Sequence, residues 1–137
     1  MGGRLPLVFT SATSLDLASY RQSVRDQLLS CRVFPVCQDN FVPDYRSVVT
    51  MLTDSVRQCD AVICLVGRAF GESPPDRPTR SYTQIEYDTA RQLGKPTYLF
   101  LAAEGCQFDR EPVEDSVKHR LQDEYVRSLQ QSQQLYQ

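Results

Sequence analysis

Glu86 is the residue whose surroundings in the sequence most clearly suggest chemistry. Ser81-Tyr-Thr-Gln84 has the spacing of a capping box, so a helix is expected to open there and run to Leu93. At about 100° per residue with Tyr82 at zero, Ile85 falls near 300°, Glu86 near 40°, Thr89 near 340°, Ala90 near 80° and Leu93 near 20°. Glu86 therefore shares the stripe expected to face a sheet. A carboxylate there costs stability unless it is paired or opens into a cleft. One resolution is an ion pair with Arg68 or Arg80. The other is catalytic. Cleaving an N-glycosidic bond to a cationic base such as nicotinamide develops positive charge on the ribose, which a nearby carboxylate stabilises. The base leaves neutral and needs no general acid. Tyr82, one turn before Glu86, offers an aromatic face to hold it.

Other chemistries find little support. The chain has 137 residues and one histidine, His119, in a charged stretch that supplies no catalytic partner. Cys31, Cys37, Cys59, Cys64 and Cys106 contain no CxxC pair, which argues against a zinc site or a disulfide framework. No metal or resident cofactor is expected. Neither GxGxxG nor GxxxxGK[ST] occurs, so the standard dinucleotide and P-loop sites are absent. Thr10 to Ser14 instead offers hydroxyls and backbone N–H groups ahead of a helix, either as a phosphate cradle or as simple turn and cap chemistry. Arg46, Arg68 and Arg80 could each hold a phosphate or be solvated surface charge. A formal charge of −2 argues against a general nucleic-acid binder. The longest apolar runs fall well short of the ~20 residues of a membrane span. No secretion signal is visible, so a cytoplasmic protein without membrane attachment is expected.

The elements that must position Glu86 read as alternating strands and helices, the pattern of an α/β domain with a parallel sheet. Strands are expected at Leu5–Phe9, Val33–Cys37, Ala61–Val66 and Thr97–Leu101. Pro35 suits an edge strand. The unbroken apolar run Ala61–Val66 suits the sheet centre, covered on both faces. Helices are expected at Asp16–Leu29, with Leu17, Tyr20, Val24 and Leu28 on one face, and at about Tyr45–Gln58 after an Asp44 cap, with Val48, Met51, Leu52 and Val56 inward. A last helix is expected near Glu114–Gln133. Residues 1–130 form one domain in this reading, and the glutamine-rich residues 131–137 a polar tail or the start of a linker. Ligands of such sheets bind beyond the carboxyl ends of the strands, here Thr10–Ser14, Gln38–Pro43, Gly67–Arg80 and Ala102–Pro112.

Three segments taken together, Cys59-Asp-Ala-Val-Ile-Cys-Leu-Val66, Ser81-Tyr-Thr-Gln-Ile-Glu86 and Gly94-Lys-Pro96, resemble a TIR (Toll/interleukin-1 receptor) domain. The match is to the TIR-like branch found N-terminal to large NTPase and repeat proteins, whose opening resembles Val8-Phe-Thr-Ser11, then Asp16-Leu, a helical arginine such as Arg21 or Arg25, and Gly67-x-x-x-Gly71. The resemblance spans roughly residues 5 to 130. It implies a flavodoxin-like three-layer sandwich with a four- to five-stranded parallel sheet in the order 2-1-3-4-5. It also implies an NAD⁺ glycohydrolase activated by self-association with other TIR domains, within a larger signalling or defence protein. Glu86 then matches the catalytic glutamate of a Ser-x-Trp-Cys-x-x-Glu pattern. Tyr82 stands where the tryptophan would be, Thr83 replaces the cysteine, and Arg80 takes the serine position with Ser81 one place later. Thr10, Ser11, Phe41, Arg46, Arg68 and Ser81 complete the candidate substrate-binding set. Gln38–Arg46 corresponds to the loop that gates the site and meets a neighbouring subunit.

Two other readings use the same residues. Nucleoside deoxyribosyltransferases also pair a Cys-Asp-Ala-Val-like strand with a glutamate-bearing helix ending in Gly-Lys-Pro, and there the glutamate is a nucleophile. They usually show Asp-x-Gly-Thr before it, where this chain has Thr79-Arg-Ser-Tyr. The third reading is a non-enzymatic TIR scaffold for homotypic protein–protein interaction.

Overall fold

A computed structural model describes residues 4–37 and 48–131 together with the backbone of 135–136. Five parallel strands form one sheet in the order β2-β1-β3-β4-β5. They are β1 (Leu7–Ser11), β2 (Phe34–Val36), β3 (Ala61–Val66), β4 (Thr97–Leu101) and β5 (Leu135–Tyr136). Between them run α1 (Ser14–Ser30), α2 (Val48–Gln58), α3 (Tyr82–Gln92) and α4 (Ser116–Gln130). This is the expected flavodoxin-like α/β sandwich.

One face of the sheet carries the main core. Phe9, Val62, Cys64, Val66, Leu99 and Leu101 pack there against Leu52 and Val56 of α2, Ile85 and Ala90 of α3 and Leu129 of α4. Side chains alternate across a strand, so Val8, Thr10, Ile63, Leu65, Tyr98 and Phe100 face the other layer, where α1 lies. That layer is thin. Tyr98 and Phe100 are 45% and 40% exposed, and β3 is fully buried only at every second residue, not on both faces as its composition suggests. An unbroken apolar strand here reports central position without equal cover.

Several boundaries differ from the sequence reading. Thr10 and Ser11 belong to β1, not to a turn, because they pair in register with Ile63 and Cys64 of β3. The helix α1 starts two residues earlier than expected and buries only Asp16 and Leu17, leaving Tyr20 exposed. Leu17 has non-helical angles (φ −125°, ψ 18°), and two residues on the Ser19 N–H donates to Asp109 at 2.6 Å. A carboxylate inserted against the helix is a recognised cause of such a kink. Bonds from the Ser19 hydroxyl and then its N–H hold the Asp109 carboxyl below the ordinary range. The Asp44 cap and the start of the expected second helix lie outside the described residues. The helix α4 is shorter than expected, with Asp115 capping it through the Lys118 N–H at 2.8 Å. Within the glutamine-rich tail, Leu135 and Tyr136 pair with Leu99 and Phe100 as β5.

The cysteines divide by environment. Cys59 and Cys64 are buried, and loss of water pushes both thiols up, Cys59 to about 11. The thiolate is the reacting species, so a disulfide reagent at pH 8 should modify the exposed Cys31 first and spare Cys59 and Cys64 until denaturant is added. Rapid modification of all cysteines in the folded chain would refute that placement of β3.

Candidate functional site

The order β2-β1-β3 means that the chain leaves β1 to one side and resumes on the other, which opens a crevice beyond the carboxyl end of β1. A cleft of about 560 Å³ lies there, within the usual range for small-molecule sites. Thr10 and Ala12 form its floor, Thr13, Ser14, Leu15 and Arg21 of the α1 region one wall, and Phe70, Gly71 and Glu72 another. Tyr82, Thr83 and Glu86 close it from α3.

The helix α3 begins as the capping motif dictates. The Ser81 Oγ accepts the Gln84 N–H at 3.2 Å, and Gly94 ends the segment in the left-handed region at φ +68°. This fixes the turn on which Tyr82 and Glu86 stand one above the other. Glu86 is only 3% exposed yet reaches the cleft lining, and its Oε1 accepts the Ser11 hydroxyl at 2.6 Å. Ser11 is brought there by the β1–β3 register, which also sets it beside Cys64. The Cys64 thiol is pushed up by burial first and then by the Glu86 charge, and a bond to Ser11 partly offsets this. The arginines of the ion-pair alternative are engaged elsewhere. Arg80 pairs with Asp88, and Arg68 pairs with Glu111 at 3.2 Å while stacking over Phe108. Replacing Ser11 by alanine removes a charge-assisted bond from a buried carboxylate, so a loss of about 1.5–3 kcal/mol in chemical denaturation is expected. An unchanged midpoint would mean that the bond contributes nothing.

The loop Gly67–Gly71 is a fixed wall. Asp16, fully buried, accepts the Arg68 N–H at 2.8 Å and the Ala69 N–H at 2.9 Å on one oxygen and the Thr13 hydroxyl on the other. Glu114 accepts the Phe70 N–H at 2.8 Å and the Gly71 N–H at 2.9 Å. From α4, Lys118 donates to the Gly71 carbonyl at 3.0 Å and Gln122 to the Gly67 carbonyl at 2.8 Å. A methyl group at Gly67 would sit 2.5 Å from Asp16 Oδ2, so Gly67 must stay bare for the carboxylate to approach. Four consecutive amides are thus committed to internal carboxylates, and this loop presents no free amide cradle to a phosphate.

Of the residues singled out in the sequence, Glu86, Tyr82 and Thr10 come together at the cleft and Ser11 lies directly behind Glu86. Ser81 is fully buried as a helix cap, and Arg68 lies outside the lining, on the far side of the loop. Phe41 and Arg46 fall outside the described residues. Thr13, Phe70 and Glu72 were expected only as parts of the segments Thr10–Ser14 and Gly67–Arg80 beyond the strand ends, Leu15 was not expected at the cleft, and Arg21 entered only through the resemblance. A signal existed for Arg21: it lies seven residues, about two turns, after Ser14 and so shares the face of α1 that opens the helix.

Comparison with known structures places the fold among α/β sandwiches. The 2-desoxiribosyltransferase from Leishmania mexicana is 17% identical, with a TM-score of 0.50 over 89% of this chain and 97% of that one. A prokaryotic SEFIR domain is 14% identical, with a TM-score of 0.45 over 89% and 96% of the two chains. No curated protein matches the sequence. Residues 7–137 match the family described as "Domain of unknown function (DUF4062)", and the chain belongs to that family.

Proposed function

We propose that the cleft cleaves the N-glycosidic bond between a ribose and its base, with NAD⁺ as substrate and nicotinamide as the leaving group. The observation that carries this reading is a carboxylate, Glu86, almost fully withdrawn from water yet lining a ligand-sized hollow that Tyr82 and Phe70 also line. In this scheme the base rests against Tyr82 and the ribose C1′ lies over Glu86. As the C1′–N bond breaks, its electron pair passes to the pyridinium nitrogen and nicotinamide leaves neutral. The positive charge that spreads over C1′ and the ring oxygen is met by the Glu86 carboxylate, held at fixed aim by the Ser11 hydroxyl. Water then adds to C1′ and loses a proton to solvent. The hydroxyls of Thr10 and Ser14 face the remainder of the nucleotide. Ser11 thus serves as a positioning residue, not as part of a phosphate cradle, and Ser81 acts through the helix it caps.

The resemblance to TIR domains also supports activation by self-association inside a larger protein, with NAD⁺ the only small-molecule partner and no resident cofactor. The fold shared with the Leishmania enzyme favours one second reading, in which Glu86 attacks C1′ and the sugar passes to another base. Both readings predict glycosidic cleavage, and the fate of the sugar separates them. Concentrated or crowded protein should release nicotinamide from NAD⁺ with water as acceptor. Exchange of deoxyribose between added bases, without NAD⁺ cleavage, would establish the transferase. No turnover of either kind under crowding would leave a scaffold for homotypic assembly.

A further inference from the structure

Two carboxylates line the cleft, and they differ in their access to water. Glu86 is almost fully buried, whereas Glu72 is exposed at the rim. The neighbouring carboxylates are committed elsewhere. Asp16 and Glu114 hold the amides of the Gly67–Gly71 loop, Glu111 holds Arg68 and Asp88 holds Arg80. No hydrogen bond or ion pair engages the Glu72 carboxylate among the described residues. We propose that Glu72 is a second catalytic residue, the general base that takes the proton from the water attacking C1′. The inference rests on the glycosidic reading above and deepens it, because it names the group that makes water the acceptor of the sugar.

The backbone fixes where Glu72 stands. Gly71 before it lies in the left-handed region at φ +80°, with its N–H held by Glu114 and its carbonyl by Lys118. The carbonyl of Glu72 itself accepts the Tyr82 N–H at 2.9 Å. Glu72 is thereby clamped against the first turn of α3, next to the residue whose ring is to hold the base. Glu86 stands one turn further along the same helix, about 6 Å along its axis, so the two residues flank one stretch of the cleft. Their surroundings divide the work between them. A carboxylate shielded from water acts with full strength on a sugar cation. A carboxylate at the rim meets the incoming water and can pass its proton onward. Two carboxylates set to separate roles by their environments are what glycoside hydrolysis calls for. In this step a lone pair of the water oxygen forms the C1′–O bond, and the proton that oxygen sheds moves to a Glu72 carboxylate oxygen. The sugar keeps a hydroxyl at C1′, and Glu72 returns the proton to solvent, which restores the carboxylate.

The test sets water against an acceptor that needs no base. Isoquinoline attacks C1′ with the lone pair of its ring nitrogen and loses no proton, whereas water must lose one. With NAD⁺ and isoquinoline added to crowded protein, the ratio of hydrolysis to base exchange should fall about 100-fold in Glu72→Gln, the lower end of what a general base contributes. Glu86→Gln should slow both reactions together. Added formate should raise hydrolysis by Glu72→Ala about tenfold or more and leave the wild-type rate unchanged, a rescue that a merely structural role would not give. Thermal melting checks that the variants fold, and if Glu72→Gln does not, Glu72→Ala with and without formate carries the comparison. An unmoved ratio, or a lowered one that formate does not restore, overturns Glu72 as the base, while nicotinamide release that still depends on Glu86 keeps the glycosidic reading. Absence of any release by the wild-type protein under crowding overturns both.

Discussion

Replacing Glu86 by glutamine is expected to slow nicotinamide release from NAD⁺ by about 100- to 1000-fold while the protein stays folded. Glutamine keeps the shape and one carbonyl oxygen to accept the Ser11 hydroxyl, now 2.6 Å from Glu86 Oε1. It removes only the negative charge that the sugar cation requires. Removing one preorganised electrostatic interaction from a water-poor site costs about 3–4 kcal/mol of transition-state stabilisation. The same change relieves the burial of an ionised group, so the melting temperature should hold or rise. Two measurements read together decide the matter: a single-turnover assay in crowded protein, and a thermal melt. Equal release by the two proteins would remove Glu86 from the chemistry, and a collapsed melt would show that its carboxylate is structural.

The largest effect on stability is expected at Asp16. Its carboxylate accepts the Arg68 and Ala69 N–H groups and the Thr13 hydroxyl, all in a fully buried position. Alanine would strand the buried Ala69 N–H away from water and take their acceptor from the part-buried Arg68 N–H and Thr13 hydroxyl. Unsatisfied buried groups cost about 1–3 kcal/mol each, and partial relaxation brings the expected total to about 3–5 kcal/mol. For a domain of this size that corresponds to a fall in melting temperature of roughly 10–20 °C. Gly67 would gain room in this variant, so Asp16→Ala with Gly67→Ala should lose less stability than the two single changes summed. Strict additivity in that double-mutant cycle would contradict the 2.5 Å approach of the two residues.

Local patterns were decisive where the tertiary packing agrees with them. Ala61–Val66 and Thr97–Leu101 were placed to the residue, because apolar strands flanked by Asp60 and by Lys95-Pro96 leave little freedom in their limits. The capping box set Tyr82 and Glu86 on the correct turn, and periodicity alone indicated that Glu86 is buried. Failures came where long-range pairing overrode local composition. Thr10 and Ser11 have turn-forming side chains, but a ladder to β3 holds them extended. In α1 the apolar residues Tyr20, Val24 and Leu28 outnumber the cover available, and the buried anchor is Asp16, a residue type that patterning assigns to solvent. The loop Gly67–Arg80 was expected beyond a strand end, but the fixed shape of its wall at Phe70 and Gly71 was hidden for the same reason. Its shape depends on Glu114, some forty positions away in the chain, which no periodicity could connect to it.

That dependence ties the cleft to the last helix mechanically. Phe70 and Gly71 lean on Glu114, Gly71 on Lys118 and Gly67 on Gln122, so α4 buttresses a rim whose opposite side is built from α1 and α3. A force or a binding event that pulled the C-terminal helix from the sheet would slacken this rim, and the hollow would lose its form before the strands came apart. Whatever grips α4 therefore has a lever on the cleft.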